Sequence, residues 1–356
     1  MNIYITGLGS GYEVEHLVRL FYPMAPLTLT PPEDGADCVW AEKRPDKLWA
    51  MVRQGGKCAE RSAPLPAPAE AGGETPEFSL ASLTYDLLRS WTGIRPPWGK
   101  MTGVRPVRLI HDKRAAGWSE TDIDHFFLER FDCSEQKYQM AKAIADLQEP
   151  ILKVGSAPKT YSLYIGIPFC LTRCLYCSFP SNILPGKKRV QEFLAVLQKD
   201  LLAAKDAIEH YGFCVQNIYV GGGTPTSLPD EAFAEMLNMV YNAFYGPSIV
   251  EFTVEAGRPD SITPAKIETM KRLAVSRVSV NPQTMQERTL RRIGRQHTPK
   301  DVVTMFHALR EAGIPHINMD LILGLPGETS EDVRDTMEKV TALGPDDITL
   351  HALALK

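Results

Sequence analysis

The stretch CLTRCLYCSF, Cys170 to Phe179, sets Cys170, Cys174 and Cys177 at a C-x3-C-x2-C spacing. Thiolates are nucleophiles and soft metal ligands. An iron–sulfur cluster of the four-iron type usually takes four thiolates. Three leave one iron open to a substrate or cofactor, much as a catalytic zinc keeps an open position. At this spacing one short loop can wrap three corners of a cube. Two other readings stay open on the residues alone: a zinc site, which needs a fourth ligand where no second C-x2-C occurs, and buried, inert thiols. Cys214, at the start of a strand candidate, reads as a small buried hydrophobe. Cys38, Cys58 and Cys133 lie far from the motif in sequence and are assigned no role.

Other stretches carry chemistry of their own. Gly221, Gly222 and Gly223 in GGGTPT lack a Cβ, so backbone groups there can approach a ligand closely. A triple glycine before Thr-Pro is also a plain turn. Glu255 ends FTVEAG, where a carboxylate can accept hydrogen bonds from an ammonium or from hydroxyls, or join a salt bridge at a rim. Asp320 stands inside the apolar NMDLILGL, and a lone charge there is costly unless paired or functional. Arg295 offers a planar fork that suits a carboxylate. His297 and His351 read as solvated or structural.

The elements that must position these residues follow from the apolar pattern. From Tyr161 onward, short apolar runs alternate with longer amphipathic ones at the period of βα units. The strand candidates are YSLYIGI, VQNIYV, IVEFTVEA, SRVSVN, HINMDLIL and DDITLHALA. Each is apolar enough to predict burial on both faces and therefore a parallel sheet. Thr263-Pro264 and Thr298-Pro299 are N-cap and N1 signals; Gly212, Gly313 and Gly344 are stop signals. An open doubly wound sheet and a partial barrel both fit this string. The unusual loops all follow strands, which is where α/β folds build their active face.

Residues 1–60 read as a small α/β segment, with strands at IYITGL, CVWAEK and LWAMVR and a helix at YEVEHLVRLFY. Residues 61–77, rich in Pro and Ala, read as a linker. Residues 78–155 read as mostly helical, broken by TGIRPPWGKMTGVRP, and 156–356 as the barrel. The 356-residue chain is 44% hydrophobic, enough for a sizeable core, and its net charge of −4 gives no reason to expect nucleic-acid binding. No apolar run reaches the ~20 residues of a spanning helix. An odd count of seven cysteines without an export signal points to a reducing, cytoplasmic setting.

Together YIGIPFCLTRCLYCSF, with Tyr176 before the last cysteine, GGGTPTSL, VEA, SVNPQT, IGRQH and NMDLILGLPGET resemble the radical S-adenosylmethionine (radical SAM) enzymes. Within them, they resemble the oxygen-independent coproporphyrinogen III dehydrogenase group. The likeness covers about Tyr161 to Lys356, and WGKMTGVRP resembles a region of the group's HemZ-like branch. The resemblance implies a partial (β/α)6 TIM-type barrel, preceded by a smaller α/β and helical region. It implies a [4Fe-4S] cluster on Cys170, Cys174 and Cys177, with S-adenosyl-L-methionine on the fourth iron. Tyr164, Gly222, Gly223, Thr224, Glu255, Gln283, Arg295 and Asp320 would contact the cofactor. Gly166 stands where family members often carry a histidine. No catalytic residue is assigned.

The implied reaction is oxidative decarboxylation of coproporphyrinogen III to protoporphyrinogen IX through a 5′-deoxyadenosyl radical, with an unidentified electron donor as partner. The alternatives within the family are a haem chaperone, whose tetrapyrrole partner is haem itself, and an anaerobic haem-degrading enzyme. Phe179, where the dehydrogenases carry a further cysteine, resembles the chaperones. The family also carries a domain beyond the barrel, so residues 1–356 read as a fragment, expected to cleave S-adenosylmethionine without useful conversion of coproporphyrinogen III.

Overall fold

The structure, a computed structural model, describes residues 1–67, 74–155 and 157–353. The chain divides into two units, Met1–Val154 and Gly155–Lys356. In the first, β1 (Asn2–Thr6), α1 (Tyr12–Arg19), β2 (Leu27–Thr28), β3 (Cys38–Lys43), β4 (Lys47–Gln54), β5 (Lys57–Pro64) and α2 (Pro76–Thr92) form one layer pair. The sheet runs β2-β1-β3-β4-β5. Residues 68–73 of the expected linker lie outside the described residues. The segments on its two sides are not separate bodies: Leu80, Ala81, Tyr85 and Leu88 of α2 share a core with Ile3, Val39 and Val52 of the sheet. The burial of those side chains is the physical reason α2 belongs with the strands. Beyond it, α3 (Pro106–Ala115), α4 (Glu120–His125), a π-helical turn at Phe126–Arg130 and α5 (Glu135–Gly155) gather around Ile110, Phe127 and Tyr138. Within WGKMTGVRP, Met101 joins this core, and Lys100 Nζ bonds Ser82 Oγ of α2 at 2.6 Å.

The second unit contains β6 (Thr160–Ile167), the short β7 (Phe169–Cys170) and β8 (Asn182–Ile183), α6 (Lys187–Tyr211), β9 (Cys214–Gly222), α7 (Asp230–Phe244), β10 (Glu251–Glu255), α8 (Pro264–Arg272), β11 (Arg277–Ser279), α9 (Glu287–Arg292), α10 (Pro299–Glu311), β12 (His316–Leu323), α11 (Ser330–Leu343) and β13 (Asp347–Ala352). Every strand candidate of the sequence forms a strand; Ala354, at the end of DDITLHALA, lies outside the described residues. The helix signals act as read. Thr263 and Thr298 accept backbone N–H bonds from Lys266 and Asp301, and Gly212 and Gly344 take left-handed C-caps.

The large sheet runs β6-β9-β10-β11-β12-β13 with every neighbour parallel. Spatial order follows chain order, without the reversal that defines a doubly wound sheet. Right-handed crossovers in one direction put the helices on one face. β6 and β13 are its two edges, as in a six-stranded barrel left open on one flank.

The central strands are buried on both faces as expected, with Thr253, Ser279 and Asn318 on the second face 2%, 6% and 7% exposed, but the expectation that both faces are apolar is corrected. One face is apolar: Ile165, Ile167, Ile218, Val220, Phe252, Val254, Val278, Ile317 and Met319 form the core under the helices. The other face is polar. Register aligns Tyr164 with Tyr219, Glu255 with Ser279, Ser279 with Asn318, and Asp320 with Thr349. Alternate residues of one strand point to opposite faces, so the polar positions form a continuous floor. Tyr164 on that floor is 57% exposed. Composition alone averaged the two faces and hid the alternation. Cys214 is also exposed rather than buried, because it is the first residue of β9, at the rim.

The two faces have opposite mutational signatures. Phe252→Ala empties a site that is 1% exposed; it is expected to cost about 3–5 kcal/mol, lowering the melting midpoint of this unit by roughly 6–20 °C. Asn217→Ala on the floor removes one exposed hydrogen bond to Ser162 and is expected to change stability by about 0.5 kcal/mol or less. Thermal melts followed by circular dichroism compare the two directly.

Candidate functional site

The loop carrying the three cysteines leaves β7 and returns at β8. Those two strands pair in parallel, Phe169 with Asn182 and Cys170 with Ile183. Asn182 N–H donates to the Pro168 carbonyl at 2.8 Å and Leu184 N–H to the Cys170 carbonyl at 2.9 Å, closing the loop at its base. All three thiols are free and half-buried. Cys177 N–H turns back onto the Cys174 carbonyl at 3.2 Å, and Cys170 Sγ lies 3.5 Å from Thr224 Oγ1.

The glycine loop lies directly against it. Gly223 N–H bonds the Ile167 carbonyl and Thr224 N–H the Phe169 carbonyl. A Cβ on Gly223 would come within 2.6 Å of the Phe169 carbonyl and 3.0 Å of Cys170 Sγ. Gly222 adopts φ +110° and a Cβ there would meet the Ile167 carbonyl at 2.9 Å. Glycine is therefore required at Gly223 by its approach to the cysteine loop, and at Gly222 by its approach to the end of β6 and by backbone conformation.

Gly222 N–H donates to Glu255 Oε2 at 3.1 Å, and Tyr219 O–H donates to Glu255 Oε1 at 2.5 Å. Burial and then the nearby Asp320 charge push the Glu255 carboxyl above the usual range, and these two donors pull against them. Burial, then the Glu255 carboxylate, raise the Tyr219 phenol, which keeps it a donor. Tyr164 stacks on Tyr219 at 5.6 Å. Asp320 is not a lone charge. Asn281 Nδ2 donates to its Oδ2 at 2.8 Å and Asn318 Nδ2 to its Oδ1 at 2.7 Å. Gln283 has φ +66° and is tied to β12 by Gln283 N–H to the Asp320 carbonyl and Ile322 N–H to the Gln283 carbonyl. Its Oε1 is buried with no hydrogen-bond partner among the described residues.

Arg295 departs from its expected role. Its fork meets protein acceptors rather than an open position: Nη1 donates to the Gly257 carbonyl at 2.7 Å and Nη2 to Tyr176 Oη at 2.9 Å. The guanidinium thus ties the cysteine loop to the turn after β10. A second arginine, missed in the sequence, does the same. Arg258 is 2% exposed and donates through Nη1 to the Thr172 carbonyl and through Nη2 to Thr172 Oγ1, both at 2.6 Å. Leu175 N–H bonds the Ile293 carbonyl at 3.0 Å, giving the loop a third anchor. His297 is structural in the sense expected, buried with its ring 3.9 Å from Asp260, and burial with the neighbouring Arg295 charge pushes its pKa down to about 4. His351 is exposed on the floor, 3.8 Å from Asp320. Tyr219 was also missed. Its signal was the alternation in VQNIYVGG, which puts Asn217, Tyr219 and Gly221 on one face.

Among the described residues, no three His, Cys, Asp or Glu side chains converge on a point that could hold a single metal ion. A closed zinc shell demands such convergence. Cluster ligands bind separate irons at separate corners, and three half-buried thiols on one anchored loop suit that demand. The close glycine backbone beside Cys170 and the unpartnered Gln283 oxygen suit a second, polar ligand next to it. No helix among the described residues is long and apolar enough to cross a membrane.

Comparison with known proteins bears on this geometry. Residues 164–340 match the model of the radical SAM superfamily. Over 286 residues the chain is 36% identical to the oxygen-independent coproporphyrinogen-III oxidase-like protein HemZ of Bacillus subtilis, covering 78% of this chain and 56% of that protein. It is 34% identical over 198 residues to the heme chaperone HemW of the same organism, covering 55% of this chain and 51% of that one. The chain therefore spans about half the length of these curated relatives. The solved structure of coproporphyrinogen III oxidase (HemN) from Escherichia coli superposes with a TM-score of 0.51 at 24% identity, over 63% of this chain and 48% of that one, a likeness of fold. Radical SAM proteins bind a [4Fe-4S] cluster and S-adenosylmethionine, the two groups that the anchored thiols and the polar floor suit. The chain belongs to the radical SAM superfamily and is similar over most of its length to a HemZ-like protein.

Proposed function

We propose that the protein is a cytoplasmic radical SAM oxidoreductase that decarboxylates the propionate side chains of coproporphyrinogen III to vinyl groups. The observation that carries the reading is the reach of the HemZ likeness. It covers 78% of the chain, more than the second unit alone could supply, whereas the HemW likeness, at 55%, needs no more than that unit.

When bound, the cluster and S-adenosylmethionine supply a one-electron cleavage of a carbon–sulfur bond and so a radical that takes hydrogen from the substrate. The chain's residues bind and orient. Cys170, Cys174 and Cys177 would hold three irons. Gly223 and Thr224, packed against Cys170, would bring backbone close to the cofactor. Glu255, fixed by Tyr219, and Asp320, fixed by Asn281 and Asn318, present oriented acceptors without reorganising. Gln283 offers its unpartnered oxygen to a donor, and Tyr164 offers an exposed ring face. Arg295 acts through Tyr176 on the cysteine loop. The polar floor would receive the tetrapyrrole, an electron donor would serve the cluster, and a one-electron acceptor would take the electron released when the substrate radical loses carbon dioxide and forms its vinyl group.

A second reading is favoured by Phe179. It is 61% exposed, two residues beyond Cys177, where the dehydrogenases would place a thiol. An exposed ring beside the metal loop is a contact for a flat macrocycle, in keeping with a haem chaperone. Anaerobic incubation of the full-length protein with coproporphyrinogen III, S-adenosylmethionine and a reductant separates the readings. Vinyl products by mass spectrometry are expected. Their absence, with stoichiometric haem binding in a parallel titration, would favour the chaperone.

Replacing any of the three cysteines by alanine is expected to remove most of the roughly four irons per chain found after anaerobic reconstitution. Iron and sulfide analysis reads this, and full iron in any one variant contradicts the ligand assignment. Glu255→Ala is expected to spare the iron and weaken S-adenosylmethionine by about 1–3 kcal/mol, through an unpaired donor. Because the Glu255 carboxyl is raised, it gains its proton at a higher pH than an exposed glutamate, near 4.3. As an acceptor it is lost on acidification, so affinity falls as pH drops through that raised value. Glu255→Gln removes this part of the pH dependence. Equilibrium binding under argon across pH checks both.

A further inference from the structure

Arg258 is a buried cation without a close carboxylate. Its Nε has no hydrogen-bond partner among the described residues, and the nearest acid oxygen, on Asp260, is 3.7 Å away. A buried guanidinium is costly unless its surroundings compensate it. Asp260 compensates it in part through that long ion pair, and the hydrogen bonds come from one residue. Both terminal nitrogens bond Thr172, one at its carbonyl and one at its hydroxyl, across 86 residues of sequence. Two parallel bonds to the main chain and side chain of one residue fix its orientation as well as its position, which a lysine ammonium cannot do. Thr172 lies midway between Cys170 and Cys174. Arg258 itself stands between Gly257, in the turn after β10, and the 3-10 turn Pro259–Ser261.

We propose that Arg258 is a positioning residue for the metal loop: its fork on Thr172 presets the spacing of Cys170 and Cys174, so that a cluster meets an ordered site. Ordering a loop in advance removes that entropy cost from the binding step. The guanidinium also places a fixed positive charge behind the loop that would hold an anionic cluster. The proposal rests on the reading of Cys170, Cys174 and Cys177 as cluster ligands, and it is tested in a way that does not depend on iron.

The primary measurement is residue-resolved alkylation of the metal-free protein by iodoacetamide, followed by mass spectrometry. Cys214, exposed at the foot of β9, is the internal control. In Arg258→Met, Cys170 and Cys174 are expected to react at least about tenfold faster, the scale of losing a single charge-assisted bond of about 1.5 kcal/mol, while Cys214 is unchanged. Thr172→Val keeps the carbonyl and loses the hydroxyl, and is expected to fall between. Thr172→Ser keeps both acceptors and restores the native rate. Arg258→Lys keeps the charge without the fork and does not restore it. Reconstituted iron is expected to fall in the same order as the alkylation rates rise. Should Arg258→Met fail to fold by circular dichroism, the Thr172→Val and Thr172→Ser pair carries the test. Native alkylation rates in both Arg258→Met and Thr172→Val, or full rescue by Arg258→Lys, would overturn the proposal. A native protein that takes up no cluster would instead overturn the ligand reading, and the alkylation series would still decide the role of Arg258.

Discussion

The pairing of β6 with β9 decides which side chains reach the site. A bulge between Tyr161 and Ser162 shifts the ladder, so that Tyr161 faces Val215 but Ser162 faces Asn217. From there Tyr164 meets Tyr219 and Gly166 meets Gly221. In a strand a one-residue slip sends every side chain to the other face; without the bulge, Tyr219 would not lie beside Tyr164. Bulges near active sites commonly re-aim side chains in this way. The two glycines beyond the tyrosines leave the strand ends bare. A Cβ on Gly221 would come within 2.9 Å of the Glu255 carboxylate, so the carboxylate occupies space that only glycine leaves free.

The charges on the floor are held by neutral donors rather than by ion pairs at short range. Glu255 is held by a phenol and a backbone N–H, and Asp320 by two asparagine amides. Neutral partners orient a carboxylate without cancelling its charge, so each keeps its attraction for a cationic ligand such as a sulfonium or an ammonium. Above the floor the logic is reversed. Arg258 and Arg295 bond neutral oxygens of the cysteine loop and of the turn after β10, leaving their positive charge available behind the loop. The site is thus polarised before any ligand arrives, as preorganised electrostatics requires.

Much of this was legible in the sequence, for reasons that differ by feature. The strands were readable because each is a short apolar run between strong punctuation such as Thr263-Pro264 and Gly212. The cysteine motif was readable because ligand spacing is local. Strand order was not, since a string of βα units fits both a wound-back sheet and a partial barrel; only the ladder distinguishes them. The polar floor was hidden because isolated Tyr, Asn and Thr residues within apolar runs barely alter their composition. Arg258 and Arg295 show the main limit. The bonds that matter for them span 86 and 119 residues of sequence, and nothing in GRPD or IGRQH says which loop the guanidinium will reach.

The central claim is that the iron left open by Cys170, Cys174 and Cys177 is bound by S-adenosylmethionine lying on the floor beside Glu255. Electron–nuclear double resonance on the reduced protein, with the cofactor labelled with nitrogen-15 in its amino group, tests it most directly. The account predicts a hyperfine coupling from that nitrogen to the cluster, present in the native protein and lost in Gly222→Val, whose side chain would fill the approach. A cluster that forms fully yet shows no such coupling in the native protein would contradict it.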